Sequence, residues 1–185
     1  WAVGYTPHLN RFAHKIVEPA DHKQYLSHQD VVNQVVTILA RSGKHNVILV
    51  GDPGVGKDTI VRAIARQFGD TKQVFALDTT ALVSGLSAAD DFETRLVSVL
   101  RDAVYAGNVI LYIEELELLL DQNKTGYNAV AILQPYLESP NLQLLATTTF
   151  TDYHEIIEAD PILAKNFERV DVAEPSDQQV MVILE

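Results

Sequence analysis

The chain contains no cysteine, one methionine and one tryptophan in 185 residues. Without cysteine there is no disulfide and no thiolate metal site, which fits a cytosolic, cytoplasmic setting. Basic residues are also scarce: 14 Lys and Arg stand against 25 Asp and Glu, a formal net charge of −11. That balance argues against nucleic acid or an anionic membrane as partner, because neutralising phosphates takes clustered cations. Long apolar runs are missing too. The longest are of strand length, so no segment reads as a membrane span. Internal repeats and low-complexity tracts are absent. The chain opens Trp1-Ala2-Val3-Gly4 without a start methionine, a basic leader or a signal core. It reads as an excised fragment, so targeting information is not legible.

What is present is an ordinary globular composition, 47% hydrophobic and 21% charged, in a length suited to one domain. Residues 1–25 are polar and mixed, with Pro7 and Pro19, and read as an extended lead-in. His8, His14, His22 and His28 show no i, i+4 pairing with a carboxylate base and read as solvated rather than as a zinc site. From Gln29 to Arg41 apolar residues recur at helical spacing, and Ser42-Gly43 closes the helix. Apolar runs at 47–50, 74–77, 109–113, 142–146 and 170–172 read as five strands. Helices are expected after the first strand to about Phe68, from Asp90-Asp91 to Gly107, from Gly126 to Glu138 with Pro135 bending its end, and over Asp152–Glu158. Ala81–Ala89 reads as small and flexible. Pro175-Ser176-Asp177 caps a last helix that runs to Glu185. Strands alternating with helices predict an α/β fold, an αβα sandwich with a five-stranded, mainly parallel sheet and helices on both faces.

The most informative stretch follows the first strand. Gly51-Asp52-Pro53-Gly54-Val55-Gly56-Lys57-Asp58-Thr59 joins a buried strand to a helix and reads as a phosphate-binding P-loop. Its glycines let backbone N–H groups curl around an anion, the helix start adds partial positive charge, and Lys57 adds a full one. One position departs: Asp58 stands where the pattern has a magnesium-binding Ser or Thr. Ligands of parallel sheets bind at the carboxyl ends of the strands. Lys57, Glu114-Glu115 and Thr147-Thr148 each follow a strand, so they converge on one edge. Glu114-Glu115 reads as a magnesium ligand and a water-orienting acid, against the plainer reading of a solvated helix start. Thr148 reads equally as a γ-phosphate sensor or as hydroxyl turn chemistry.

These motifs, with Ala81-Leu82-Val83, Phe92-Glu93, Arg95-Leu96, Ala146-Thr147-Thr148-Thr149, Asp152-Tyr153 and Val172-Ala173-Glu174-Pro175, resemble in order and spacing the first ATPase module of the Clp/ClpB unfoldases, within the AAA+ superfamily. The resemblance runs from about Gln24 to Glu185. It implies a large αβα subdomain over 26–174 and the start of a helical small subdomain at 175–185. It implies ATP or ADP on Asp52, Pro53, Gly54, Val55, Gly56, Lys57, Asp58 and Thr59, with Leu26 and Ser27 against adenine and Thr148 near the γ-phosphate. It further implies Mg at Glu114, with Asp58 as a second ligand, and Glu115 and Lys57 as catalytic groups. The expected partners are protein substrates and other AAA+ modules in a homo- or hetero-oligomeric ring, a hexamer in the family.

The departures fall on working positions. Asp58 replaces the family's Thr and adds like charge beside the phosphates. Glu114 replaces Asp. Lys165 and Asn166 stand at the paired trans-acting arginines, with Arg169, four residues beyond Lys165, the candidate stand-in. Leu86-Ser87-Ala88-Ala89 lacks the substrate-gripping aromatic. An arginine finger carries about three to five orders of magnitude in rate. The expectation is therefore a degenerate module that binds ATP and hydrolyses it weakly or not at all. An active unfolding motor and a nucleotide-free assembly module are the alternatives.

Overall fold

A computed structural model describes residues 6–17, 28–41, 46–87 and 90–174. At its centre β2 (Val47–Val50), β4 (Val109–Ile113) and β5 (Gln143–Thr148) are buried at every position. Successive side chains of a strand face opposite ways, so such runs serve two cores at once. Ile48, Val50, Leu111 and Ile113 enter one core, while Val47, Leu49, Ile110 and Tyr112 enter the other. The first core is closed by α5 (Phe92–Ala106) and α8 (Ala129–Leu137), the second by α2 (Gln29–Leu39) and α3 (Lys57–Phe68).

With β1 (Ala13–Lys15), β3 (Gln73–Leu77) and β6 (Glu168–Asp171), the sheet has six strands among the described residues, in the order β1-β3-β4-β5-β2-β6. All pairings are parallel except β1 with β3. The registers Val50↔Thr148 and Ile113↔Ala146 bring the ends of β2, β4 and β5 to one edge. The five expected strands are thus all present, and a sixth comes from the lead-in.

That lead-in is not simply extended. Pro7 opens a short helix α1 (Pro7–Phe12), where its missing N–H costs nothing. Asp102 on α5 accepts the His8 and Leu9 N–H groups at 2.8 and 3.0 Å. Only Leu9 and Phe12 of α1 are buried, too few to produce a periodic signal. Likewise, part of the expected flexible stretch is ordered. Asp78 caps α4 (Thr79–Val83) by accepting from Ala81 N–H at 2.8 Å. The 4% exposed Arg95 donates to the carbonyls of Ala81, Leu82, Ser84 and Gly85 and pairs with Asp90 at 2.9 Å.

Helix boundaries follow their caps. Asp91 accepts from Thr94 N–H at the start of α5, and Gly107 at φ 75° ends it. Between α6 (Leu116–Leu120) and α8, a short α7 (Gln122–Thr125) stops at Gly126, and Asn128 caps α8. The expected helix from Gly126 therefore begins at Ala129, and Pro135 lies inside it. After β5, α9 (Phe150–Asp152) continues into a π-helical turn over Tyr153–Ile157, and α10 (Pro161–Asn166) leads into β6. The expected C-terminal helix over 175–185, and the helix-closing Ser42-Gly43, lie outside the described residues.

Candidate functional site

The P-loop leaves β2 through Gly51, whose N–H donates to Thr148 O at 3.2 Å. A Cβ at Gly51 would lie 2.8 Å from the Val172 carbonyl, so only glycine fits this turn between β2 and the chain after β6. Gly54 and Gly56 take φ values of +82° and +103°, left-handed conformations open to glycine at little cost. Gly56 then starts α3, whose first N–H groups have no partner within the helix. Lys57 Nζ donates to Gly51 O and, at 3.1 Å, to Asp52 O, folding its own side chain over the loop.

Opposite this loop the strand ends supply acids. Pro53, Gly54, Gly56, Lys57 and Asp58 form one wall of a cleft of about 260 Å³; Glu114, Glu115, Glu117 and Thr147–Thr149 form the other. Lys57, Asp58, Glu114, Glu115 and Thr148 thus come together as the sequence implies. Asp52, Val55 and Thr59 stand outside the lining, with Val55 buried beneath the loop. Leu26 and Ser27, expected against adenine, lie outside the described residues.

Three features around these acids stand out. Glu115 sits at φ 49°, the single non-glycine residue with positive φ among the described residues. Its N–H donates to Thr147 Oγ1 at 3.1 Å, which ties the end of β4 to β5. Such a backbone is uncommon for a side chain of this size, and it turns Glu115 sharply out of the strand direction. Glu114 is held above the usual carboxylate range, first by burial and then by the negative charges of Asp58 and Glu115, with His14 opposing. Burial also pushes the Tyr112 hydroxyl up, and that hydroxyl donates weakly to Asp58 Oδ1 at 3.5 Å.

Glu117 is the acid that sequence reasoning missed. Thr148 is 1% exposed, and its Oγ1 donates to Glu117 Oε2 at 2.8 Å. Burial raises Glu117 above its ordinary value, partly offset by bonds from its own backbone and from Thr148. The signal was available: Glu117 falls in the first turn of the helix opened by Glu114-Glu115.

A second cleft of about 240 Å³ shares Asp58 and Glu114 with the first and runs between α3 and the lead-in. His14 and Lys15 of the lead-in and Arg62 of α3 line it, so the lead-in brings Lys15 to the acids' far side.

The remaining candidates are placed as follows. Lys165 is exposed on α10, whereas Asn166 is 7% exposed and donates from Nδ2 to Ile162 O at 2.8 Å. Arg169 makes a two-pronged contact with Asp171, at 2.6 and 3.3 Å, and lies 4.4 Å from the Tyr153 ring centroid and 5.8 Å from that of Phe150. Its guanidinium is thus engaged within its own chain. Leu86 is 40% exposed beside a bridge between Ser87 and Asp90, while Ala88 and Ala89 lie outside the described residues. His28 is not solvated as expected: it is 8% exposed and bonded to the P-loop at Val55 O, 3.0 Å away.

A parallel sheet with a P-loop after one central strand, acids after the next and threonines after the third defines a P-loop NTPase fold of the AAA+ type. The chain belongs to the AAA family, the ATPase family associated with various cellular activities, whose profile matches residues 47–173. Within it the chain is an AAA+ module of Clp/ClpB type. It is 34% identical over 163 residues to the chaperone protein ClpB of Aquifex aeolicus, covering 83% of this chain and 16% of that protein. ClpB of Staphylococcus aureus strain COL is 34% identical over 170 residues, covering 86% and 20%. The structure of Hsp104 with ATPγS and FITC casein in a closed state superposes with a TM-score of 0.82 at 28% identity, covering 96% of this chain and 32% of that one. The Saccharomyces cerevisiae Hsp104–ADP complex superposes with a TM-score of 0.79. The chain therefore spans a fifth or less of these ClpB relatives' length.

Proposed function

We propose that this module binds ATP and ADP at the P-loop and hydrolyses ATP weakly or not at all. In this reading it acts within an oligomeric ring, hexameric as in its relatives' family, on protein substrates or alongside other AAA+ modules in the cytoplasm. One observation carries the reading. The loop's left-handed glycines, the helix start and Lys57 are assembled as an anion cradle, while the neighbouring magnesium position carries Asp58.

The residues fit a nucleotide with its metal. Free N–H groups at the start of α3 and Lys57 suit phosphates. Asp58 and Glu114 offer only oxygen, the donor type that Mg requires. Bound there, the metal would neutralise phosphate charge. Without it, Asp58 and Glu114 oppose the phosphates. Glu115, turned out at the end of β4, is the group that would orient water, and Thr148 reaches the site through Glu117. The arginine positions hold exposed Lys165 and the buried Asn166, and Arg169 is occupied by Asp171, which supports weak turnover. A hydrolytic motor is the second reading, favoured by the placement of Glu115 in the cleft.

Calorimetric titration with ATP, with and without Mg, tests binding. No heat at high micromolar ligand in both conditions refutes the nucleotide reading and leaves an assembly module. Steady-state hydrolysis by the full-length assembly, compared with Glu115→Gln, separates the weak module from the motor.

A further inference from the structure

His28 supports the P-loop from outside the motif. It stands immediately before α2 and is 8% exposed, with Nε2 3.0 Å from the Val55 carbonyl oxygen. A carbonyl only accepts, so Nε2 carries the proton in this contact. A Cβ built on Gly56 would come within 3.1 Å of the same nitrogen and 3.5 Å of Cδ2. The imidazole therefore rests against the Val55–Gly56 peptide itself.

The orientation of that peptide decides what the loop offers a ligand. The described peptides include no cis bond, and in a trans peptide the C=O and N–H point in opposite directions. Holding the Val55 oxygen towards His28 turns the Gly56 N–H away from it. Gly56 at φ +103° has the freedom of a glycine, so its side of the peptide offers little resistance to rotation. A rotated peptide would present an oxygen where an anion needs a donor. Val55 itself is buried at 7% exposure, which anchors the residue but not its carbonyl.

We propose that His28 is a positioning residue of the P-loop, whose hydrogen bond to the Val55 carbonyl keeps the Gly56 N–H available to a nucleoside polyphosphate. The inference rests on the nucleotide-binding reading for its ligand, but the loop geometry can be read without one. His28→Ala removes the donor, His28→Leu removes it while filling the space, and His28→Gln keeps an N–H donor. In the intact protein, the readouts are amide hydrogen exchange across residues 54–57 without nucleotide and the affinity of a fluorescent ADP analogue. One ordinary hydrogen bond corresponds to roughly a fivefold effect. Ala and Leu are expected to speed exchange at 54–57 and weaken ADP binding by about that factor, with Gln restoring both to within about twofold. Unchanged exchange in a folded Ala or Leu variant overturns the inference. So does a Gln variant as impaired as Leu at the same melting temperature. Absence of ADP binding in the unmodified protein refutes the nucleotide reading, and the exchange data still decide the role of His28.

Discussion

Replacing Asp58 by Asn and by Thr separates charge from hydroxyl at the position where this P-loop departs from its pattern. Asp58 is exposed and lies in the first turn of α3, on the wall shared by both clefts. Its repulsion of a polyphosphate is therefore screened. With an effective dielectric of about 40 to 80 and a separation of about 5 Å, each pair of unit charges costs roughly 0.8 to 1.7 kcal/mol. Two phosphate charges bring the penalty to about 2 kcal/mol, or roughly thirtyfold in Kd. Asp58→Asn should therefore tighten ATP binding in EDTA by about that factor, and less at high salt. The same carboxylate favours the helix start, so the unliganded Asn variant should lose about 0.5 kcal/mol of stability. Opposite signs in binding and stability distinguish local repulsion from a general loosening. Asp58→Thr should match Asn without metal and surpass it only when Mg is present. The assay is calorimetric titration at two salt concentrations, with thermal unfolding of the free proteins. If Asn binds ATP within twofold of the unmodified protein at low salt, the repulsion argument is wrong.

Arg95→Leu strands four carbonyls and Asp90, and should cost about 3 to 5 kcal/mol, a loss of roughly 6 to 20 °C in melting temperature. A drop under 2 °C would contradict a structural role for that clamp. Glu114→Gln addresses a carboxyl whose folded pKa is raised, so the folded state holds the proton more firmly than the unfolded chain. Stability from this group is present below the ordinary Glu pKa and is lost as pH rises through the higher folded value. The Gln variant should thus be more stable than the unmodified protein at neutral pH and indistinguishable at acid pH, by thermal unfolding across pH. A difference independent of pH removes the raised Glu114 pKa as its cause. Asp102→Ala removes the cap of α1 and should cost about 1 kcal/mol, with faster hydrogen exchange at His8 and Leu9. Unchanged exchange there would mean that α1 is held by Leu9 and Phe12 alone.

The parts legible in the sequence are those whose signal is local. Four consecutive buried residues at Val47–Val50 before a glycine turn can hardly be other than a central strand entering a P-loop. Asp91 before an apolar periodicity marks the start of α5, and Gly107 its end, through cap chemistry carried in adjacent residues. The lead-in escaped because its order is borrowed. α1 is capped by a side chain more than ninety residues away, and β1 exists through pairing with β3. His28 escaped for a related reason, since its place rests on a contact across the fold with Val55; Glu117 carried a local signal, its position in the first turn after Glu114-Glu115, but its bond to Thr148 appears only in the fold.

By itself, then, the sequence determined a parallel α/β fold, the P-loop from Gly51 to Thr59 and the odd carboxylate at Asp58, because glycine turns, apolar runs and charge are properties of neighbouring residues. Only the tertiary structure decided what surrounds that loop. It set Asp58 beside Tyr112 and Glu114, bound Arg169 to Asp171, brought the lead-in's Lys15 to the acids and laid His28 on the Val55 carbonyl. Those contacts join segments far apart along the chain, and only the closing of the sheet brings them within bonding distance.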